Sequence, residues 1–140
     1  MEQFILHLLR RAIQRAERTF GDEARESDVT PRQFAVLDAL SRRDSVSQTE
    51  LCNATGIDRS TLADIVKRLL NKGLIQRARR KDDARAYAVK LSTEGRRRLK
   101  ALTVDRVQTS ILQNLPESRR RQFLKDLKAI AGEEQLAMSE

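Results

Sequence analysis

Cysteine and histidine are nearly absent from this sequence, which contains only Cys52 and His7. One cysteine cannot form an internal disulfide, and one histidine cannot assemble a metal cluster. The sequence also has no nucleophile with a matching base and no glycine-rich loop that would bind a phosphate. It therefore predicts no catalytic residue, no metal site and no cofactor, and an enzymatic function is not expected.

Glycine, proline and long apolar runs are also scarce. Five glycines and two prolines in 140 residues favour helices over loops. There is no stretch of about 18 apolar residues, as a membrane span would need. Residues 1–11 mix charged with apolar side chains instead of forming the apolar centre of a leader. We therefore expect a cytoplasmic protein that does not insert into a membrane.

Charge, by contrast, is abundant and mostly positive. The 28 basic and 20 acidic side chains give a formal net charge of +8, with a pI of about 10.4. This excess favours a polyanionic partner, either nucleic acid or an anionic membrane surface. Residues 58–90 contain ten basic residues and four aspartates, so they carry most of the excess. Clustered cations can neutralise the phosphates of a nucleic acid. The alternative is that these charges form a solvated surface without a function.

The two ends of the chain have the apolar spacing of amphipathic helices. One helix is predicted over residues 3–20, a long one from Ser92 to about Asn114, and a last one from Pro116. The length and the lack of a linker predict a single domain over 1–140. The terminal helices carry more apolar surface than a small centre could cover. We therefore expect residues 1–22 and 93–138 to be the dimerisation helices of a symmetric homodimer.

The centre of the chain has the signals of a helix-turn-helix. Thr30 and Ser47 each begin a helix with a capping box, and Gly56 ends the second of these helices. Asp58 caps the next helix, predicted at about 58–72, whose outer face is polar and basic and suits a DNA major groove. The alternative is an ordinary surface helix. The DNA contacts expected from this recognition helix are Arg59, Ser60, Thr61, Asp64, Lys67 and Arg68.

After Gly73 the apolar period changes from that of a helix to that of a strand. Two strands are predicted, at 74–79 and 84–91, with a polar tip between them. This hairpin, at about 74–91, is the wing of a winged helix-turn-helix. The fold class predicted is thus mainly α with a small β-hairpin, in which a DNA-binding lobe at 31–91 joins a helical dimerisation region built from the N- and C-terminal helices. The DNA contacts expected from the wing are Arg80, Lys81, Asp83 and Arg85.

Several segments, taken in this order, resemble the MarR family of bacterial regulators. They are Ser47–Leu51, Gly56–Leu62, Lys72–Ile75, Asp83–Arg85 and Val89–Gly95. The resemblance covers nearly the whole chain. It implies a homodimer that binds a pseudo-palindromic operator in double-stranded DNA, usually to repress transcription, and that is associated with the nucleoid when bound. It also implies release by a small aromatic or anionic effector or by oxidation. The D-x-R wing motif of the family falls on Asp83 and Arg85.

Two other functions are compatible with these patterns. A winged-helix protein-interaction module would present an acidic or apolar recognition face, which Arg59, Lys67 and Arg68 argue against. A non-specific architectural DNA-binding protein would bind every duplex with equal affinity. Cys52 falls in the first helix of the helix-turn-helix, where we expect a buried and unreactive thiol rather than a redox sensor.

Overall fold

The computed structural model describes residues 4–79 and 87–133. Within these ranges it contains seven helices and three short strands. In chain order they are α1 (Ile5–Glu23), α2 (Pro31–Ser41), β1 (Val46–Ser47), α3 (Gln48–Thr55), α4 (Arg59–Asn71), β2 (Ile75–Arg79), β3 (Tyr87–Leu91), α5 (Thr93–Ala101), α6 (Val104–Ile111) and α7 (Glu117–Ile130).

The sheet has one strand more than the predicted hairpin. The strand order is β1-β3-β2, and both pairs are antiparallel. In the hairpin Ile75 lies opposite Leu91, whereas on the other side of β3 Val46 lies opposite Val89. The sequence predicts a turn at 44–46. This prediction is wrong at Val46, which lies in strand β1 instead. That side chain is 1% exposed, and its backbone pairs with an edge of β3 that would otherwise be open.

The long helix predicted from Ser92 to about Asn114 is interrupted, and this prediction is also wrong. Leu102 has an extended backbone, with φ −130° and ψ 96°, and separates α5 from α6. Thr103 then caps α6, because its side chain accepts a hydrogen bond from the Arg106 amide at 3.2 Å. A threonine that bonds the backbone locally competes with a continuous helix. The break buries Leu102 to 1% exposure.

The core consists of two clusters of buried side chains. The larger lies beneath α2, α3, α4 and the sheet, and its fully buried leucines are Leu37, Leu40, Leu51, Leu62, Leu69 and Leu74. The smaller joins α1 and α6 to α2, and its members are Phe20, Ala24, Phe34, Leu102 and Val107. The rings of Phe20 and Phe34 meet edge to face with centroids 5.5 Å apart. The second cluster therefore connects the central lobe to the terminal helices.

A close backbone approach fixes α5 against the end of α4. The Ser92 hydroxyl donates to the carbonyl of Gly73 at 2.7 Å and accepts from the amide of Gly95 at 3.0 Å. The Ser92 amide donates to the carbonyl of Leu74 at 3.1 Å. A Cβ atom on Gly95 would overlap that same carbonyl oxygen. Only glycine therefore allows α5 to begin at this position.

The terminal helices leave apolar side chains uncovered in the single chain. The exposed large residues of α1, its N-cap and α7 are Phe4, Ile5, Leu6, Leu8, Ile13, Phe123 and Ile130. An amphipathic helix with an uncovered apolar face is typical of an association surface. None of the helices in the described parts of the chain is long and apolar enough to cross a membrane.

Candidate nucleic-acid interface

Helix α4 begins at a fully formed cap. The carboxylate of Asp58 accepts a hydrogen bond from the Ser60 hydroxyl at 2.9 Å and one from the Thr61 amide at 3.3 Å. Hydrogen bonding from Thr61, and then from Ser60, holds the pKa of Asp58 below its ordinary value of 3.8. The carboxylate is therefore ionised at neutral pH, where it satisfies amides at the positive end of the helix dipole.

The two faces of α4 differ sharply in burial. The core face consists of Leu62, Ile65, Val66 and Leu69. The exposed residues among those expected to contact DNA are Arg59, Ser60, Asp64, Lys67 and Arg68, and Thr61 is half-buried. The structure thus brings these six residues together at the N-terminal end and on the outer side of one helix. A helix with small polar residues at its N-terminus and cations along its outer face fits a major groove.

Arg59 is oriented by the neighbouring helix. Its guanidinium Nη2 donates to the hydroxyl of Thr49 in α3 at 3.3 Å. Between these helices Gly56 has φ 71°, and Thr55 bonds both the Leu51 carbonyl at 2.6 Å and the Ile57 amide at 3.3 Å. Sequence reasoning identified Gly56 but missed Thr49 and Thr55. A threonine on the first turn of α3 facing an arginine on the first turn of α4 is the signal that could have indicated the first contact.

Asp64 and Arg68 pair on the outer face of α4. Their side chains approach to 3.1 Å and are 60% and 67% exposed, respectively. An exposed pair at this helical spacing stabilises a helix by only about 0.5 kcal/mol, so a phosphate or a base edge can displace the carboxylate at little cost. Lys67 forms no ion pair within residues 4–79 and 87–133. Its charge is therefore fully available.

The basic surface continues onto the sheet. Arg77 and Arg79 are exposed on β2, and the Arg77 guanidinium lies 5.3 Å from the ring centroid of Tyr87 on β3. This cation–π contact orients the guanidinium toward the end of the hairpin at which Arg79 pairs with Tyr87. The four residues expected to contact DNA from the wing, Arg80, Lys81, Asp83 and Arg85, lie outside the described residues.

A cleft of about 310 Å³ opens between α2 and the α5–α6 break. Phe34, Leu99 and Leu102 form its apolar wall, and Arg96 and Lys100 are among its polar residues. Sequence reasoning assigned no pocket residue, and it did not predict the break at Leu102 that opens this cleft. The lining also includes Asp38, whose carboxylate pairs with Arg42 at 3.3 Å. An apolar wall next to two further cations suits a small aromatic anion.

Cys52 is half-buried rather than buried as expected, and it packs against the larger core cluster. It lies on the side of α3 that turns from the core toward solvent. A thiol in this position completes the packing of α3.

Comparison with known proteins decides the family. A family model described as MarR family matches residues 27–86. The HTH-type transcriptional repressor NicR of Pseudomonas putida is 38% identical over 96 residues, which are 69% of this chain and 61% of NicR. A probable transcriptional regulator from Pseudomonas aeruginosa superposes with a TM-score of 0.84 at 31% identity, over 92% of this chain and 98% of that chain. This chain belongs to the MarR family.

A second solved structure agrees. BpsR of Bordetella bronchiseptica, whose DNA binding is described as regulated by 6-hydroxynicotinic acid, superposes with a TM-score of 0.84 at 27% identity. That match covers 94% of this chain and 95% of BpsR. The predicted fold class, mainly α with a small β-hairpin in a winged helix-turn-helix, is confirmed as that of a MarR-family protein, and the structure adds β1 to the hairpin. The match to NicR spans about three-fifths of that protein's length.

Proposed function

We propose that this MarR-family chain is a transcriptional repressor that binds a pseudo-palindromic operator in double-stranded DNA. The single observation that carries the proposal is the outer face of α4, where Arg59, Lys67 and Arg68 are exposed on a capped helix. The name of NicR as a repressor and the regulated DNA binding of BpsR support the same function. The function is regulatory and not enzymatic, and it takes place in the cytoplasm, on the nucleoid when the protein is bound.

The DNA contacts divide between base edges and phosphates. Near the N-terminus of α4, Arg59, Ser60 and Thr61 face base edges, whereas Lys67 and Arg68 neutralise phosphates or reach bases further along the groove. Asp64 holds Arg68 until DNA displaces it. In the wing, the proposed contacts are Arg80, Lys81, Asp83 and Arg85. Either Arg85 or one of its basic neighbours, Arg80 and Lys81, enters the minor groove, and Asp83 orients the guanidinium or ties down the hairpin.

The operator is bound by a homodimer. The lobe at 31–91 supplies the DNA contacts, and residues 1–22 and 93–138 form the two-fold interface. The exposed apolar side chains of α1 and α7 support this arrangement, because so much uncovered apolar surface is costly in a monomer. Two lobes related by a two-fold axis fit two half-sites about one helical turn apart.

The effector is a small aromatic or anionic compound that binds in the cleft between α2 and α5. Phe34 and Leu102 supply an apolar wall, and Arg96 and Lys100 supply positive charge for a carboxylate. The description of BpsR as regulated by 6-hydroxynicotinic acid, an aromatic acid, supports this class of ligand. A thermal-shift screen of aromatic acids, repeated with Arg96→Ala, tests the assignment.

Selection from a random pool of duplexes tests the proposed function. The full chain should enrich one pseudo-palindromic sequence, and it should bind that duplex about 10³-fold or more tightly than unrelated DNA at physiological salt. Equal affinity for every duplex would indicate an architectural DNA-binding protein instead. No binding to any duplex would favour a protein-interaction module.

A further inference from the structure

Two cations from different helices bind the turn that joins α1 to α2. The ammonium of Lys72, at the C-terminal end of α4, donates to the carbonyl of Asp28 at 2.7 Å. The guanidinium of Arg98, in α5, donates to the carbonyl of the preceding residue, Ser27. Two neighbouring carbonyls of one turn therefore accept hydrogen bonds from side chains at the end of α4 and in α5. Sequence reasoning counted Lys72 in the basic charge around the recognition helix and in the Lys72–Ile75 segment of the family resemblance, but not as a contact with this turn.

The acceptors of Lys72 are held firmly in place. Asp28 has φ 51°, a left-handed conformation that side chains other than glycine adopt infrequently. The Lys72 ammonium also donates to Oε1 of Gln33 at 3.1 Å, and this side chain is 5% exposed. The same oxygen accepts from the Thr30 amide at 3.2 Å, as part of the capping box of α2. The Lys72 ammonium is thus hydrogen-bonded to protein oxygens that other contacts hold in place, rather than only to solvent.

Lys72 is therefore poorly suited to contact phosphate. Its ammonium has three N–H donors, of which two are used by the backbone carbonyl of Asp28 and the side-chain oxygen Oε1 of Gln33. The Asp28 carboxylate lies 3.8 Å away, and the Lys72 side chain is 31% exposed. Lys67, on the same helix, is exposed without an ion pair among the described residues. Lys67 within α4 and Lys72 at its C-cap therefore have different surroundings.

We propose that Lys72 is a positioning residue that sets the distance between the two recognition helices of the dimer. The proposal depends on the proposed function, in which α1 belongs to the dimer interface. The N-terminal end of α4 is oriented within its own lobe by the contact of Arg59 with Thr49. Lys72 joins the C-terminal end of α4 to the turn that connects α1 to α2. The core packing of Val66 and Leu69 holds α4 in its lobe. In a two-fold dimer the contact of Lys72 adjusts how far each α4 lies from the axis, and hence which half-site spacing fits.

A spacing series of operators tests the proposal. The probe is the duplex that the full chain enriches from a random pool, together with versions whose half-sites are one base pair closer or further apart. Wild-type protein should prefer the enriched spacing. Lys72→Met should lower this preference by about fivefold or more, because the C-terminal end of α4 is no longer joined to the turn. Its salt dependence of binding should stay unchanged, since no phosphate contact is lost.

Lys67→Met is the matched control, because it removes the same charge from the same helix. It should weaken binding to all three duplexes equally and reduce the slope of log affinity against log salt by about 1. Lys72→Arg should restore the preference for the enriched spacing, since arginine can donate to the same oxygens. Gln33→Met keeps the lysine charge but removes one acceptor, and it should reproduce the loss of preference. If Lys72→Met does not fold, the spacing preference of Gln33→Met tests the proposal in its place.

Two results would overturn the assignment. If Lys72→Met retains the full spacing preference, the contact with the turn does not position α4. If it lowers the salt slope as Lys67→Met does, Lys72 contacts phosphate. Both results require that wild-type protein select a duplex. Failure of that selection refutes the proposed function itself and is thereby distinguishable from failure of the inference about Lys72.

Discussion

The guanidinium Nε of Arg106 in α6 donates to the carboxylate Oε2 of Glu23 in α1 at 2.8 Å. The other carboxylate oxygen of Glu23 accepts from the hydroxyl of Ser110 at 2.8 Å. One side chain near the end of the first helix therefore receives two donors from a helix more than eighty residues later in the chain. These two bonds fix α1 to α6, and the Phe20–Phe34 contact fixes it to α2.

Removing this carboxylate should loosen α1. Glu23→Ala leaves Arg106 and Ser110 without their acceptor, and because the site is partly exposed we expect a loss of about 1 kcal/mol in the free energy of unfolding. Urea denaturation measures it. Glu17→Ala, an exposed change on the same helix, is the control and should have almost no effect. Equal values for the two variants would mean that the contacts of Glu23 contribute nothing.

Gly95 should tolerate no side chain. A Cβ there overlaps the carbonyl oxygen of Leu74, which is backbone and cannot move aside easily, so Gly95→Ala should lower the free energy of unfolding by about 3 kcal/mol. Gly21, within α1, has no atom within 4 Å of the same built Cβ. Gly21→Ala should instead stabilise the protein by about 0.5 to 1 kcal/mol. Thermal unfolding of both variants checks the difference, and a harmless Gly95→Ala would contradict the close approach.

Local signals in the sequence predicted the helix-turn-helix well. The caps at Thr30 and Asp58 and the left-handed glycine at position 56 depend on residues within one turn of each other, and all three have the expected geometry. The core face of α4 follows from periodicity alone in the same way. These features are encoded by short-range chemistry, which is why a single sequence is sufficient to predict them.

Features that depend on distant partners were not predictable. The two residues of β1 form a strand only because β3 offers a free edge more than forty residues later. The break at Leu102 competes with a periodicity that continues into α6, and burial next to Phe20 and Phe34 favours it. For the candidate site, the exposed side chains of α4 were predictable, but the contacts of Arg59 with Thr49 and of Lys72 with Asp28 were not, since both join separate elements.

Acid should remove the contribution of Glu94 to stability. Hydrogen bonds from Arg97, and then from Arg98, lower the pKa of Glu94 from 4.5 to about 2. A carboxylate with a lowered pKa in the folded state stabilises the fold fully above pH 4.5 and loses this effect as the pH falls from 4.5 toward 2. The difference in the free energy of unfolding between wild type and Glu94→Gln should therefore be largest near neutral pH and should disappear in acid. A difference that does not vary with pH would contradict the interaction.

The apolar face of α1 should be needed for dimerisation. Ile13 is 56% exposed in the single chain, so Ile13→Asp should leave the core of the lobe intact while placing a charge in the proposed interface. Sedimentation velocity should show monomers or aggregates in place of a dimer. Gln14→Asp, a change of similar charge at the next position, is the control. If both variants sediment as wild type does, α1 lies outside the interface.

Protection of Lys67 by DNA tests most directly whether the outer face of α4 lies against the duplex. An amine-reactive label, quantified by mass spectrometry with and without the enriched duplex, reports each lysine separately. We predict that DNA slows the labelling of Lys67 strongly and leaves Lys125 and Lys128, on α7, unchanged. Labelling of Lys67 at the same rate in the presence of a bound duplex would contradict the account.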